Sequence, residues 1–189
     1  MSQQDLLSNV VRGLDEWGCA YMLTGSFASS MQGEPRLSHD IDLVVDLTPQ
    51  ALPELLKRFP SPEFFLDEQS IREAISERTM FSLLQVSEGD KVDFWLLTDD
   101  PFDVARFARR RFEVALGLKL FVSSPEDTIL MKLRWAKLSG GSEKHLNDAL
   151  RVYEVQLGTL DMDYLAKWIN RLELSGYWEQ LLLRAAPSS

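Results

Sequence analysis

The chain has 189 residues, 45% of them hydrophobic and 26% charged, with 29 acidic against 20 basic residues and a net charge of -9. This suits one ordinary domain, or one with a small appendage, and excludes global disorder and a dedicated duplex-binding surface. A single cysteine and two histidines exclude an internal disulfide and a zinc site of the usual spacing.

Residues 3–18 place Leu6, Leu7, Val10, Val11, Leu14 and Trp17 on one helical stripe, and Gly18 is a natural stop. A short strand, 20–24, follows, then a helix over 26–31 that is broken by Gly33-Glu34-Pro35-Arg36. The next strand spans 39–47. Thr48 and Pro49 open a helix reaching about Phe59, with Thr48 as its cap. A short helix is expected over 70–77. Strands over 81–86 and 91–97 flank the turn residues 87–90. A helix over 101–111 ends in Arg106, Arg109, Arg110 and Arg111, where cations suit the helix dipole. Residues 112–122 read as one or two strands. Everything later reads as helix, over 125–138, 143–157, 161–172 and 175–185, with a frayed end at 186–189. The expected class is therefore α+β, a mixed sheet flanked by helices over 1–122 and a helical subdomain over 123–189.

The chemistry concentrates between Tyr21 and Asp46. Asp40 and Asp42 are two apart at the start of an apolar run, so in a strand they share a face, opposite Ile41, Leu43 and Val45. Carboxylates held this close repel unless a cation lies between them. Asp93 stands inside another apolar strand, Lys91 to Trp95, where a lone carboxylate is unfavourable without a partner. Were the two strands neighbours, Asp93 would complete a three-carboxylate cluster. Hard oxygen donors suit two Mg²⁺ ions, or Mn²⁺ in their place. Gly25-Ser26 lies between a strand and a helix, where backbone N–H groups can take a phosphate. Arg36 is a further phosphate candidate, and Trp95 shares strand parity with Asp93.

Gly25-Ser26, Asp40-Ile41-Asp42 and Asp93 together resemble the G-S…D-x-D…D pattern of the polymerase β-like nucleotidyltransferase superfamily, in order over residues 3–98. The resemblance implies a mixed sheet of the nucleotidyltransferase type and transfer of a nucleoside monophosphate from a nucleoside triphosphate to a hydroxyl acceptor. It implies that the three acids hold the metals, that Asp93 is the base or orienter, and that Gly25-Ser26 holds the triphosphate. The tail, with Ser124-Pro125-Glu126-Asp127 and Ser142 to Asp148, resembles AbiEii-type toxins. On that resemblance Lys132 and Asp148 belong to the nucleotide site, and the chain is a toxin of a toxin–antitoxin or phage-defence system with a cognate antitoxin as partner.

RNA, protein and small molecules all stay open as acceptors. The acidic composition disfavours a large RNA unless Arg106–Arg111, or Lys132, Lys137 and Lys144, form a local track. Simpler readings stand beside these. Ser26 is a helix cap, Lys144 and Asp148 are a helix-surface pair, and the whole is a catalytically inactive fold that binds a nucleotide or a partner. The haloacid-dehalogenase phosphatase start also contains D-x-D, but there the acids follow an apolar strand, whereas here they precede one. No apolar run has the length of a membrane span, and residues 1–10 lack a basic-then-apolar leader, so a cytoplasmic location without membrane contact is expected.

Overall fold

The computed structural model describes residues 1–36, 38–115 and 117–185; Leu37, Leu116 and the end expected to fray, 186–189, lie outside them. Two compact units divide the chain. The first comprises Met1–Thr24 and Ser38–Val122, the second Gly25–Leu37 and Ser123–Ser189.

The first unit contains the sheet. Its strands are β1 (Tyr21–Thr24), β2 (Asp40–Val45), β3 (Phe64–Phe65), β4 (Met80–Gln85), β5 (Lys91–Leu96), β6 (Arg111–Ala115) and β7 (Leu118–Val122). Among the described residues they form one mixed sheet in the order β3-β4-β5-β2-β1-β7-β6. β2 lies antiparallel to β1 and parallel to β5, and β5 continues into the antiparallel hairpin with β4. The alternation in β2 sets the two faces. Ile41, Leu43 and Val45 are fully buried on one, while Asp42 and Val44 point to the other. On that second face Val44 packs with Met22 and Phe107, flanked by Ala20, Trp95 and Leu97.

The helices of this unit are α1 (Gln3–Glu16), α3 (Leu52–Arg58), α4 (Glu68–Glu77) and α5 (Pro101–Ala108). α1 begins in a capping box formed by Ser2 and Asp5 and buries Leu6, Leu7, Val10, Val11 and Leu14. Three local expectations change. Thr48 makes no side-chain cap bond, and Pro49–Ala51 forms a 3-10 turn before α3 begins at Leu52. The helix expected over 70–77 begins at Glu68, capped by Asp67. The arginine run is exposed only in part, with Arg111 facing solvent and Arg109 and Arg110 half-buried. Arg106 is buried and paired to Asp103 at 2.8 Å, and the Arg110 guanidinium lies over the Phe107 ring at 4.3 Å.

The second unit contains α2 (Gly25–Gln32), α6 (Pro125–Leu138), α7 (Glu143–Gln156), α8 (Met162–Arg171) and α9 (Ser175–Arg184). Leu130, Leu133, Leu146, Leu150, Tyr153, Leu165 and Ile169 form its apolar interior. The start of α6 is buried yet polar. Ser124 caps it, and the Tyr164 hydroxyl donates to Asp127 at 2.7 Å.

Residues 25–36 cluster with these helices rather than with the sheet. The reason is a set of long-range bonds. Gln32 donates to the Ser123 carbonyl at 2.6 Å, and Gln156 donates to the Gln32 carbonyl at 2.9 Å. At Gly33 the α2 segment meets the α7 backbone so closely that a Cβ would lie 2.9 Å from the Val152 nitrogen. Gly33→Ala should therefore destabilise this unit by about 1–3 kcal/mol, the usual cost of overpacking. Chemical denaturation followed by helical circular dichroism measures it, and an unchanged midpoint would contradict the close packing.

Candidate active site

The carboxylates of the first unit are brought together by register. β2 and β5 run parallel with Asp42 opposite Asp93 and Asp40 opposite Lys91. Parallel neighbours in register share a face about 4.8 Å apart. The same row continues outward, with Thr24 opposite Asp42 on β1 and Ser82 opposite Asp93 on β4.

Each acid has a different environment. Asp40 is exposed, Asp42 half-buried and Asp93 buried. Burial of Asp93 is compensated by the Ser82 hydroxyl, which donates at 2.6 Å, and by the Lys91 ammonium at 2.7 Å. Asp42 accepts a hydrogen bond from the Trp95 indole N–H at 3.3 Å. Trp95 thus packs its ring against the apolar part of this face and turns its polar edge to the acid. Lys91 also lies 3.9 Å from Asp40. Its ammonium is held above its ordinary pKa of 10.5, chiefly by the hydrogen bond to Asp93 and further by the charges of Asp93, Asp40 and Asp42.

The carboxylate oxygens, in neighbouring registers, are of the hard kind that a divalent cation such as Mg²⁺ takes. Among the described residues, however, no three acids or imidazoles surround one common point. An ammonium already occupies the ground between Asp93 and Asp40. Lys91 and Ser82 were absent from the residues expected at the site. The signal for Lys91 was its parity with Asp93, two residues along the same strand.

The remaining candidates form a second cluster, within the second unit. Gly25 opens α2 with φ of 66°, a left-handed conformation that favours glycine. Ser26 lies in the first turn of α2. Arg36 grips Asp148 with a two-point fork, Nε and Nη2 each at 2.9 Å, and donates to the Ser26 hydroxyl at 2.6 Å. Lys132 donates to the same carboxylate at 2.7 Å and approaches the Ser26 hydroxyl at 3.4 Å. Lys132 and Asp148 are buried, so Asp148 is turned away from a helix-surface pair with Lys144. Burial pushes the Asp148 carboxyl upward, but the Arg36 and Lys132 hydrogen bonds outweigh it and hold it below 3.8. Burial and the Lys132 charge push His145 below 6.5, so it adds no charge at neutral pH. The cluster carries two cations and one anion. Lys137, by contrast, donates to the carbonyls of Leu172 and Glu173 at the end of α8.

Solved structures share the order and arrangement of these elements. The antibiotic-resistance factor ANT(2″)-Ia, solved in complex with adenylyl-2″-tobramycin, superposes with a TM-score of 0.57 at 17% identity, over 90% of this chain and 99% of that one. An antigenic nucleotidyltransferase-like protein from Paracoccidioides brasiliensis gives 0.56 at 20% identity, over 98% and 94%. This chain has the nucleotidyltransferase fold. A solution structure of ANT(2″)-Ia agrees, with a TM-score of 0.51 at 14% identity over 96% and 94%. No protein-family model matches the sequence, and no curated protein matches it either. Within the nucleotidyltransferase fold, the Asp42–Asp93 pair lies on adjacent central strands of the sheet. No helix among the described residues is long and apolar enough to cross a membrane.

Proposed function

We propose that this chain is a metal-dependent nucleotidyltransferase that moves a nucleoside monophosphate from a nucleoside triphosphate to a hydroxyl acceptor. The observation that carries the reading is the pairing of Asp42 with Asp93 in register, with Asp40 one step along, in the nucleotidyltransferase fold. Asp40, Asp42 and Asp93 are the residues that would hold Mg²⁺ or Mn²⁺, which when bound supply charge neutralisation for the pyrophosphate and activation of the attacking hydroxyl. Asp93 takes the acceptor hydroxyl proton as the oxygen–phosphorus bond forms and pyrophosphate departs. Gly25 and Ser26 offer backbone N–H groups at the head of α2, and Arg36 and Lys132 supply positive charge for the triphosphate.

ANT(2″)-Ia is described with an adenylylated small molecule, which supports a small hydroxyl compound as acceptor here. The net charge of -9 favours a neutral or cationic one over RNA. Protein and RNA acceptors stay in the test. The toxin role, with a cognate antitoxin, rests on the resemblance of the tail, Ser124 to Asp127 and Ser142 to Asp148 with Lys132 between them. An inactive binding protein is the second reading, favoured by the want of a converged three-acid point among the described residues.

The test is incubation with Mg²⁺, each labelled nucleoside triphosphate, and separated small-molecule, RNA and protein fractions. Label should enter one fraction with release of an equal amount of pyrophosphate. Nucleotide binding in a calorimeter without transfer to any fraction would establish the second reading instead.

A further inference from the structure

Lys91 is the first residue of β5, opposite Asp40 in register and on the same face as Asp93. An exposed lysine normally extends into water, since fixing its long side chain costs conformational entropy. This one folds back over the acids, 2.7 Å from Asp93 and 3.9 Å from Asp40. Three neighbouring carboxylates need positive charge among them, and the Lys91 ammonium provides it. Its side chain keeps a route to water, being 37% exposed, whereas that of Asp93 is only 9% exposed.

We propose that Lys91 is the internal counter-ion of the Asp40, Asp42 and Asp93 cluster, and that a divalent metal is taken up by exchange, the Lys91 ammonium leaving Asp93 for solvent. The inference rests on the metal-dependent reading above. A cation confined beside the carboxylates competes directly with a metal for the same oxygens and repels it. The flexible four-carbon stem lets the ammonium withdraw while the strand stays in place. Lys91 therefore stabilises the metal-free cluster and weakens metal binding.

The test is calorimetric titration of the full chain with Mn²⁺ alone, comparing wild type with Lys91→Gln, Lys91→Arg and Asp93→Asn. Lys91→Gln should bind Mn²⁺ tighter, by up to about fivefold, the worth of one partly exposed ion pair. Lys91→Arg keeps the charge and should stay close to wild type, and Asp93→Asn should lose binding. A wild type too weak to titrate beside a Lys91→Gln variant that binds supports the exchange equally. Wild-type protein provides an independent readout through acylation of its lysines, mapped by mass spectrometry. Mn²⁺ should speed labelling of Lys91 and leave that of Lys57 unchanged. Equal or weaker binding in Lys91→Gln, tightening in Lys91→Arg as well, or Lys91 labelling insensitive to bound Mn²⁺ overturns the exchange and leaves the metal-dependent reading standing. Mn²⁺ binding by neither wild type nor Lys91→Gln overturns both.

Discussion

Asp42→Asn should abolish nucleotidyl transfer while leaving the fold intact. Asp42 is the acid paired with Asp93 across β2 and β5, and an amide in its place removes one of two adjacent anionic donors. Loss of a single electrostatic stabiliser costs about a hundredfold or more in rate. The substitution is nearly isosteric. The Trp95 N–H that donates to Asp42 at 3.3 Å can donate to the amide oxygen of asparagine instead. Removing a negative charge also relieves repulsion within the cluster. The melting temperature should therefore hold or rise, and Mn²⁺ binding should fall together with activity. Full activity in a folded Asp42→Asn protein would exclude the carboxylate pair as the metal site.

The acids were legible because a strand repeats every two residues, so Asp40 and Asp42 share a face whatever the tertiary structure. That Asp93 stands beside Asp42 depends on β5 joining β2 in parallel register, which no local pattern encodes. The hairpin of β4 and β5 and the four C-terminal helices were visible for the same local reasons, periodicity and turn residues. β3 was not, since Phe64–Phe65 is only two residues long and gains its identity from pairing with Leu84 and Gln85. The placing of α2 with the C-terminal helices was equally hidden. It depends on Gln32, Gly33 and Arg36 meeting residues more than 90 positions away. The sequence signal at Gly33-Glu34-Pro35-Arg36 marked a break but not what the break serves. Resemblance gives Lys132 the part of a cation for the triphosphate, whereas its burial against Asp148 depends on α7, which the local sequence around Lys132 does not encode.

Asp148→Leu should destabilise the second unit far more than Lys132→Met. Asp148 balances two cations, and its removal takes the carboxylate at 2.7 Å from Lys132, which is 3% exposed. Breaking a buried ion pair by removing one member costs about 3–5 kcal/mol, and this substitution takes the shared carboxylate from both cations at once. Lys132→Met leaves Asp148 in the two-point grip of Arg36, so the carboxylate keeps a cation and the cost is about 1–3 kcal/mol. The pH dependence has a definite sign. The Asp148 carboxyl is held below 3.8 in the folded protein, so its stabilisation is present above that value and is lost as pH falls through the depressed one. Denaturation of wild type should show stability falling on acidification below about pH 4, and Asp148→Leu should remove Asp148's share of that slope. Were Asp148→Leu as stable as wild type, with the same acid profile, the Arg36–Asp148–Lys132 network would not be what orders this cluster.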